Sequence, residues 1–74
     1  ATHGKTVGEN YLLAIDAALD RLRDHPELGM ARPDLGDLLR SLPVGEHRLF
    51  YRFDGKIISV ARVLHKAMAP ARYL

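Results

Sequence analysis

The sequence predicts an α+β fold in which one amphipathic helix packs on a three-stranded antiparallel sheet. Three observations predict it. An apolar stripe at helical spacing fills the first third of the chain. Two runs of half-buried strand character fill the second half, and an Asp-Gly pair separates them.

The helix comes first. Val7, Tyr11, Ile15, Leu19 and Leu22 recur at the spacing of one helical face, and Leu12 and Ala18 widen the stripe. Asp16, Asp20, Arg21, Arg23 and Asp24 fall mostly on the solvent side. The spacing predicts a helix over Thr6 to His25. Thr6 stands as its N-cap, and Glu9 completes a capping box. Pro26 disfavours a helical residue before it and ends the run. The stretch from Pro26 to Gly36 is rich in Pro and Gly and reads as a loop.

Strands follow. Leu38 to Leu42 is a short one, and Pro43-Val44-Gly45 makes a bend. His47 to Phe53 is a second strand and Lys56 to Leu64 a third. Asp54-Gly55 between them is a two-residue hairpin signal, because a type I′ turn needs positive φ at both central residues. That turn predicts the pairs Phe53–Lys56, Tyr51–Ile58, Leu49–Val60 and His47–Arg62 on the face packed by the helix. The opposite face then carries Arg52–Ile57, Phe50–Ser59 and Arg48–Ala61, a basic surface with one aromatic. In the tail from His65 to Leu74, Pro70 breaks any long helix, leaving an extended arm or a single turn.

Seventy-four residues make one domain, spanning 1–74, with 47% apolar and 27% charged residues, an ordinary globular balance. A domain this size buries only about 60–65% of its unfolded surface. Without cysteine, disulfides, thiolate nucleophiles and Cys-type zinc sites are excluded. No apolar run approaches the ~18 residues of a membrane span, and the first residues carry no signal-peptide core. The net charge of +2 is unevenly spread. Residues 1–37 hold seven acids and four bases, a net −3, while residues 38–74 hold seven bases and two acids, a net +5. The second half therefore presents a positive field to an anionic partner, nucleic acid or an acidic protein surface.

Motifs for cofactor chemistry are missing. His3, His25, His47 and His65 share no i,i+3 or i,i+4 spacing, so no metal site is expected. No Gly-rich nucleotide loop and no nucleophile elbow occurs, and no cofactor is expected. Asp16, Asp20 and Asp24 form one helical row, which reads as a solvated face. One polar set could carry metal-free RNA cleavage: Arg48 and Arg52 with His65, Lys66, Arg72 and Tyr73, since a base, an acid and cations for the phosphorane are required. A basic surface with a tail anchored by Met68 and Leu74 accounts for the same residues more simply.

The order of short strings along the chain is more specific than any one of them. It runs Tyr11-Leu12 and Leu19, then Pro26-Glu27-Leu28-Gly29, Arg32-Pro33-Asp34-Leu35 and Leu39-Arg40-Ser41-Leu42-Pro43-Val44-Gly45. It continues with His47-Arg48-Leu49-Phe50-Tyr51-Arg52 and Arg62-Val63-Leu64-His65, and closes with Met68, Pro70, Arg72 and Leu74. Over nearly the whole chain this resembles the ParE branch of the RelE/ParE toxin superfamily of bacterial toxin–antitoxin operons. Members begin with a strand and a first helix of a helical hairpin. Here His3-Gly4 reads as the loop between the two helices, so the opening strand and first helix are expected to be missing. Their loss would uncover part of the Val7/Tyr11/Ile15/Leu19 stripe and a sheet edge. The chain is then expected to be stable only as a homodimer or in a higher complex with its antitoxin.

The resemblance implies a cytoplasmic toxin that poisons DNA gyrase by binding, with no catalytic residue required. It also implies neutralisation by a ParD-like antitoxin whose C-terminal segment wraps the toxin. Target-binding residues on that reading are Arg48, Arg52, His65, Met68, Arg72, Tyr73 and Leu74. Antitoxin-binding residues are Tyr11, Ile15, Leu19, Leu22 and Arg40. RelE-like relatives instead imply a ribosome-dependent mRNA endoribonuclease using Arg48, Arg52, Lys66 and Tyr73. A truncated, inactive remnant that still binds antitoxin is the third reading.

Overall fold

The structure, a computed structural model, describes residues 3–74, and their side chains from Tyr11 onward. Helix α1 spans His3–Asp24, about 33 Å at 1.5 Å per residue. It starts ahead of Thr6, so Thr6 lies within the helix and is not its cap, and His3-Gly4 is helical rather than a loop. The side chains of the expected capping box, Thr6 and Glu9, and of Val7 lie outside the described residues. Arg21 and Arg23 occupy the last turn, where cations suit the helix dipole.

The sheet has four strands, one more than the sequence predicts: β1 Met30–Ala31, β2 Leu39–Val44, β3 His47–Phe53 and β4 Ile58–His65. They form an antiparallel meander in the order β1-β2-β3-β4. The extra strand, β1, lies inside the expected Pro26–Gly36 loop. Two exposed residues leave no alternation for a sequence to show, and they pair only with Ser41 and Arg40. Pro43 stands in β2, beyond the end of β1, so the missing N–H deprives no neighbour of a bond. The bend expected at Pro43-Val44-Gly45 is a hairpin turn of two residues, Gly45-Glu46, because Val44 pairs with His47. Gly45 alone carries the positive φ, +59°, the arrangement of a type II′ turn.

The β3–β4 hairpin corrects the predicted register. Its loop runs from Asp54 to Ile57, not two residues but four, so Phe53 pairs with Ile58 and Tyr51 with Val60. The Asp54 carboxylate accepts the backbone N–H groups of Lys56 and Ile57, each at 2.9 Å, which stabilises the longer loop. Those bonds hold its carboxyl below the usual aspartate range. Lengthening the loop by two residues keeps Ile58 and Val60 on the helix side. A bulge between Phe50 and Tyr51 then leaves Ala61 without a partner. Beyond it every side chain of β4 changes face. Arg62 lies opposite Phe50 rather than His47, Leu64 opposite Arg48, and His65 opposite His47.

Ile15, Ala18, Leu19 and Leu22 of α1 pack on Leu42, Val44, Leu49 and Tyr51, with Phe53, Ile58 and Val63 at the margin. The hydroxyl of buried Tyr51 donates to the Pro26 carbonyl (2.8 Å) and accepts from the Gly29 N–H (2.9 Å). Those bonds tie the exit of α1 to the sheet. After β4 a turn leads to α2, Pro70–Tyr73, one turn of helix with Pro70 in its first turn.

Candidate functional site

The register divides the sheet into two chemically distinct faces. Away from α1 lie three rows, Leu39–Arg52–Ser59, Ser41–Phe50–Arg62 and Pro43–Arg48–Leu64. Each row holds one arginine. Leu39, Phe50 and Leu64 are buried between them as a second small core, covered by Leu35, Ala61 and Met68. This corrects the expected open basic face with an exposed aromatic. A full Phe ring left in water costs too much to stay uncovered when a loop and a tail lie within reach. Around that core Arg48, Arg52 and Arg62 remain exposed. The ion pairs among the described residues are Arg23–Asp20, Arg32–Asp34 and Lys66–Glu46, so no carboxylate neutralises these three arginines. Arg62 was missed by sequence reasoning, because only the bulge brings it to this face.

The tail adjoins the same face. The Lys66 N–H bonds the Glu46 carbonyl at 2.9 Å, and its ammonium pairs with the Glu46 carboxylate at 2.7 Å. That ammonium holds the Glu46 carboxyl below the usual range, with His65 and His47 adding to the effect. The His65 Nδ1 accepts the Ala67 N–H at 3.1 Å. Met68 is half-buried over the second core, while Arg72, Tyr73 and Leu74 are exposed. The residues named for RNA cleavage are dispersed. Arg52 sits in the row of Ser59, and Lys66 follows the far end of β4, roughly 20 Å along the strand. No hydrogen bond joins Arg48, Arg52, Lys66 or Tyr73 to one another.

On the helix side the residues named for antitoxin contact separate into two groups. Tyr11, Ile15 and Leu19 are half-buried and face outward in part; Tyr11 lies against His47 with the rings tilted by 53° and their centroids 4.5 Å apart, and His47 meets His65 edge-on at 5.3 Å. Leu22 is fully buried in the core and offers a partner no surface. Arg40 turns its guanidinium inward to the Gly29 and Glu27 carbonyls (2.7 and 3.3 Å), so it fastens the loop. Beside the C-terminal half of α1 opens a groove of about 460 Å³, floored by Leu19, Phe53, Ile58 and Val60 with Arg23 and Lys56 at its rim. Sequence reasoning names Leu19 for antitoxin contact but not Phe53, Ile58 or Val60, which it places only on the face packed by the helix. Among the described residues no group of three or more His, Asp or Glu is placed to hold a metal ion, and no helix is long and apolar enough to cross a membrane.

Comparison with known proteins gives a consistent answer. A family model described as the ParE toxin of the type II toxin–antitoxin system parDE matches residues 1–70. Two curated relatives, each named Toxin ParE1, come from Mycobacterium tuberculosis strains CDC 1551 / Oshkosh and ATCC 25618 / H37Rv. Each is 39% identical over 72 residues, covering 96% of this chain and 74% of the relative.

Proposed function

Because this chain belongs to the ParE toxin family of type II toxin–antitoxin systems, we propose that it poisons DNA gyrase by binding and is neutralised by a ParD-like antitoxin. The observation that carries this reading is the face of Arg48, Arg52 and Arg62, exposed and unpaired, with the apolar tail residues Tyr73 and Leu74 beside the chain's end. A gyrase–DNA complex offers both chemistries, phosphate and protein. The separation of Arg52 from Lys66 supports binding over a concerted cleavage, which needs its groups within hydrogen-bond reach of one phosphate. For the antitoxin we assign the groove of Leu19, Phe53, Ile58 and Val60, whose rim of Arg23 and Lys56 suits a segment alternating apolar and acidic residues.

A supercoiling assay with purified gyrase and plasmid tests the proposal. Inhibition accompanied by linearised plasmid is the expected result. Tyr73→Phe should inhibit as the parent does, whereas removal of residues 70–74 should weaken inhibition. No effect on supercoiling at protein well above the enzyme concentration would overturn it.

A further inference from the structure

We infer that Arg48, Arg62 and Arg52 bind the phosphate backbone of duplex DNA directly, without help from a protein partner. This deepens the proposed function, naming what the arginine face itself holds. The rows they occupy are successive on one face, one arginine each. Two residues of strand separate neighbouring rows, a step of about 6.8 Å along the sheet. The zigzag therefore lays a line of cations along a chain of phosphates, each of which carries one charge. Guanidinium is the side chain best suited to that contact, since its fork grips two phosphate oxygens and stays charged.

The surroundings favour a phosphate backbone over an acidic protein. Protein interfaces are anchored by central apolar or aromatic side chains. Here Leu39, Phe50 and Leu64 are already buried, and between the arginines only Ser59 and Pro43 of the three rows are exposed. None of the nine side chains in those rows is acidic.

The test uses a labelled 24-base-pair duplex, the whole chain and no gyrase, with anisotropy read at 50, 100 and 200 mM KCl. Three phosphates neutralised give a slope of log affinity against log salt of about −2.7, or roughly a 40-fold loss between 50 and 200 mM. Arg62→Ala should bring the slope to about −1.8 and that loss to roughly 12-fold. Arg62→Lys, which keeps the charge, should restore the parent slope and shows that the fold is intact. Arg21→Ala removes the same charge from α1 and should leave the slope unchanged. No saturable binding at 50 mM salt overturns the inference. So does an Arg62→Ala slope equal to the parent's, or an equal loss on Arg21→Ala, which would mark simple net-charge attraction. Poly-L-glutamate competing as well as DNA at equal charge would also overturn it, in favour of an acidic protein. A chain that poisons gyrase yet fails to bind free duplex overturns this inference alone and leaves the proposed function standing.

Discussion

Gly29 and Tyr51 fit together so closely that neither tolerates a neighbour of another shape. A Cβ at Gly29 would lie 2.7 Å from both the Tyr51 Cε1 and its hydroxyl, and 2.9 Å from the Ser41 carbonyl oxygen. The absence of that carbon is what lets the hydroxyl bridge Pro26 and Gly29. Tyr51→Phe removes the bridge and leaves the buried Gly29 N–H and the part-buried Pro26 carbonyl without this partner. It should cost about 1–3 kcal/mol, read as a lower urea midpoint with an unchanged slope. An unchanged midpoint would show that water replaces the hydroxyl. A second local feature is Leu38, which holds φ at +62° while 61% exposed. It turns the chain into β2 in a conformation that disfavours a branched side chain. Neither feature is legible in the sequence. The string Pro26 to Gly29 reads as a loop, and its partners in β2 and β3 lie 11 to 25 residues away. For the same reason Arg40 looks like a surface cation until the Glu27 and Gly29 carbonyls are placed beside it.

The elements themselves were more legible where a period runs long. The stripe on α1 predicts its element well, because burying one face imposes the pattern directly, whereas His47–Phe53 is buried on both faces at its centre and is marked by its apolar, aromatic run. The hairpin that follows was misread for a physical reason. Asp-Gly favours a two-residue turn, but here the Asp54 carboxylate competes by capping the amides of Lys56 and Ile57. The bulge at Ala61 leaves no sequence mark at all, and it alone decides that Arg62 joins the arginine face. The loop should respond to acid. The folded Asp54 titrates below its unfolded value, so its contribution is complete above about pH 4 and is lost as pH falls through the lower, folded value. The Lys56 and Ile57 amide shifts should titrate together with a midpoint below that of a free aspartate. A midpoint at or above it would contradict the capping role, and Asp54→Asn should abolish the titration.

Taken whole, the chain is thin: its extents are 44 × 29 × 14 Å and its radius of gyration is 13.1 Å, against about 11 Å for a compact domain of this length. One helix cannot cover a four-stranded sheet. Leu12 and Leu13 on α1 are 65% and 64% exposed, Ile57 and Val60 are also open, and β4 is an edge strand. We predict concentration-dependent association in sedimentation velocity, relieved when an antitoxin segment is added. A monodisperse monomer with a cooperative melt would refute that. The split of charge along the sequence becomes a split between layers, since the strands and tail carry the basic half while the acidic row of Asp16, Asp20 and Asp24 rides on α1. A single sheet stands between the arginines and the apolar groove, which open in opposite directions. Occupants of the two surfaces need not collide. On the assignments proposed above, an antitoxin could reach the groove of a toxin already seated on its target, and rescue would then proceed through a three-way assembly instead of waiting for the toxin to let go.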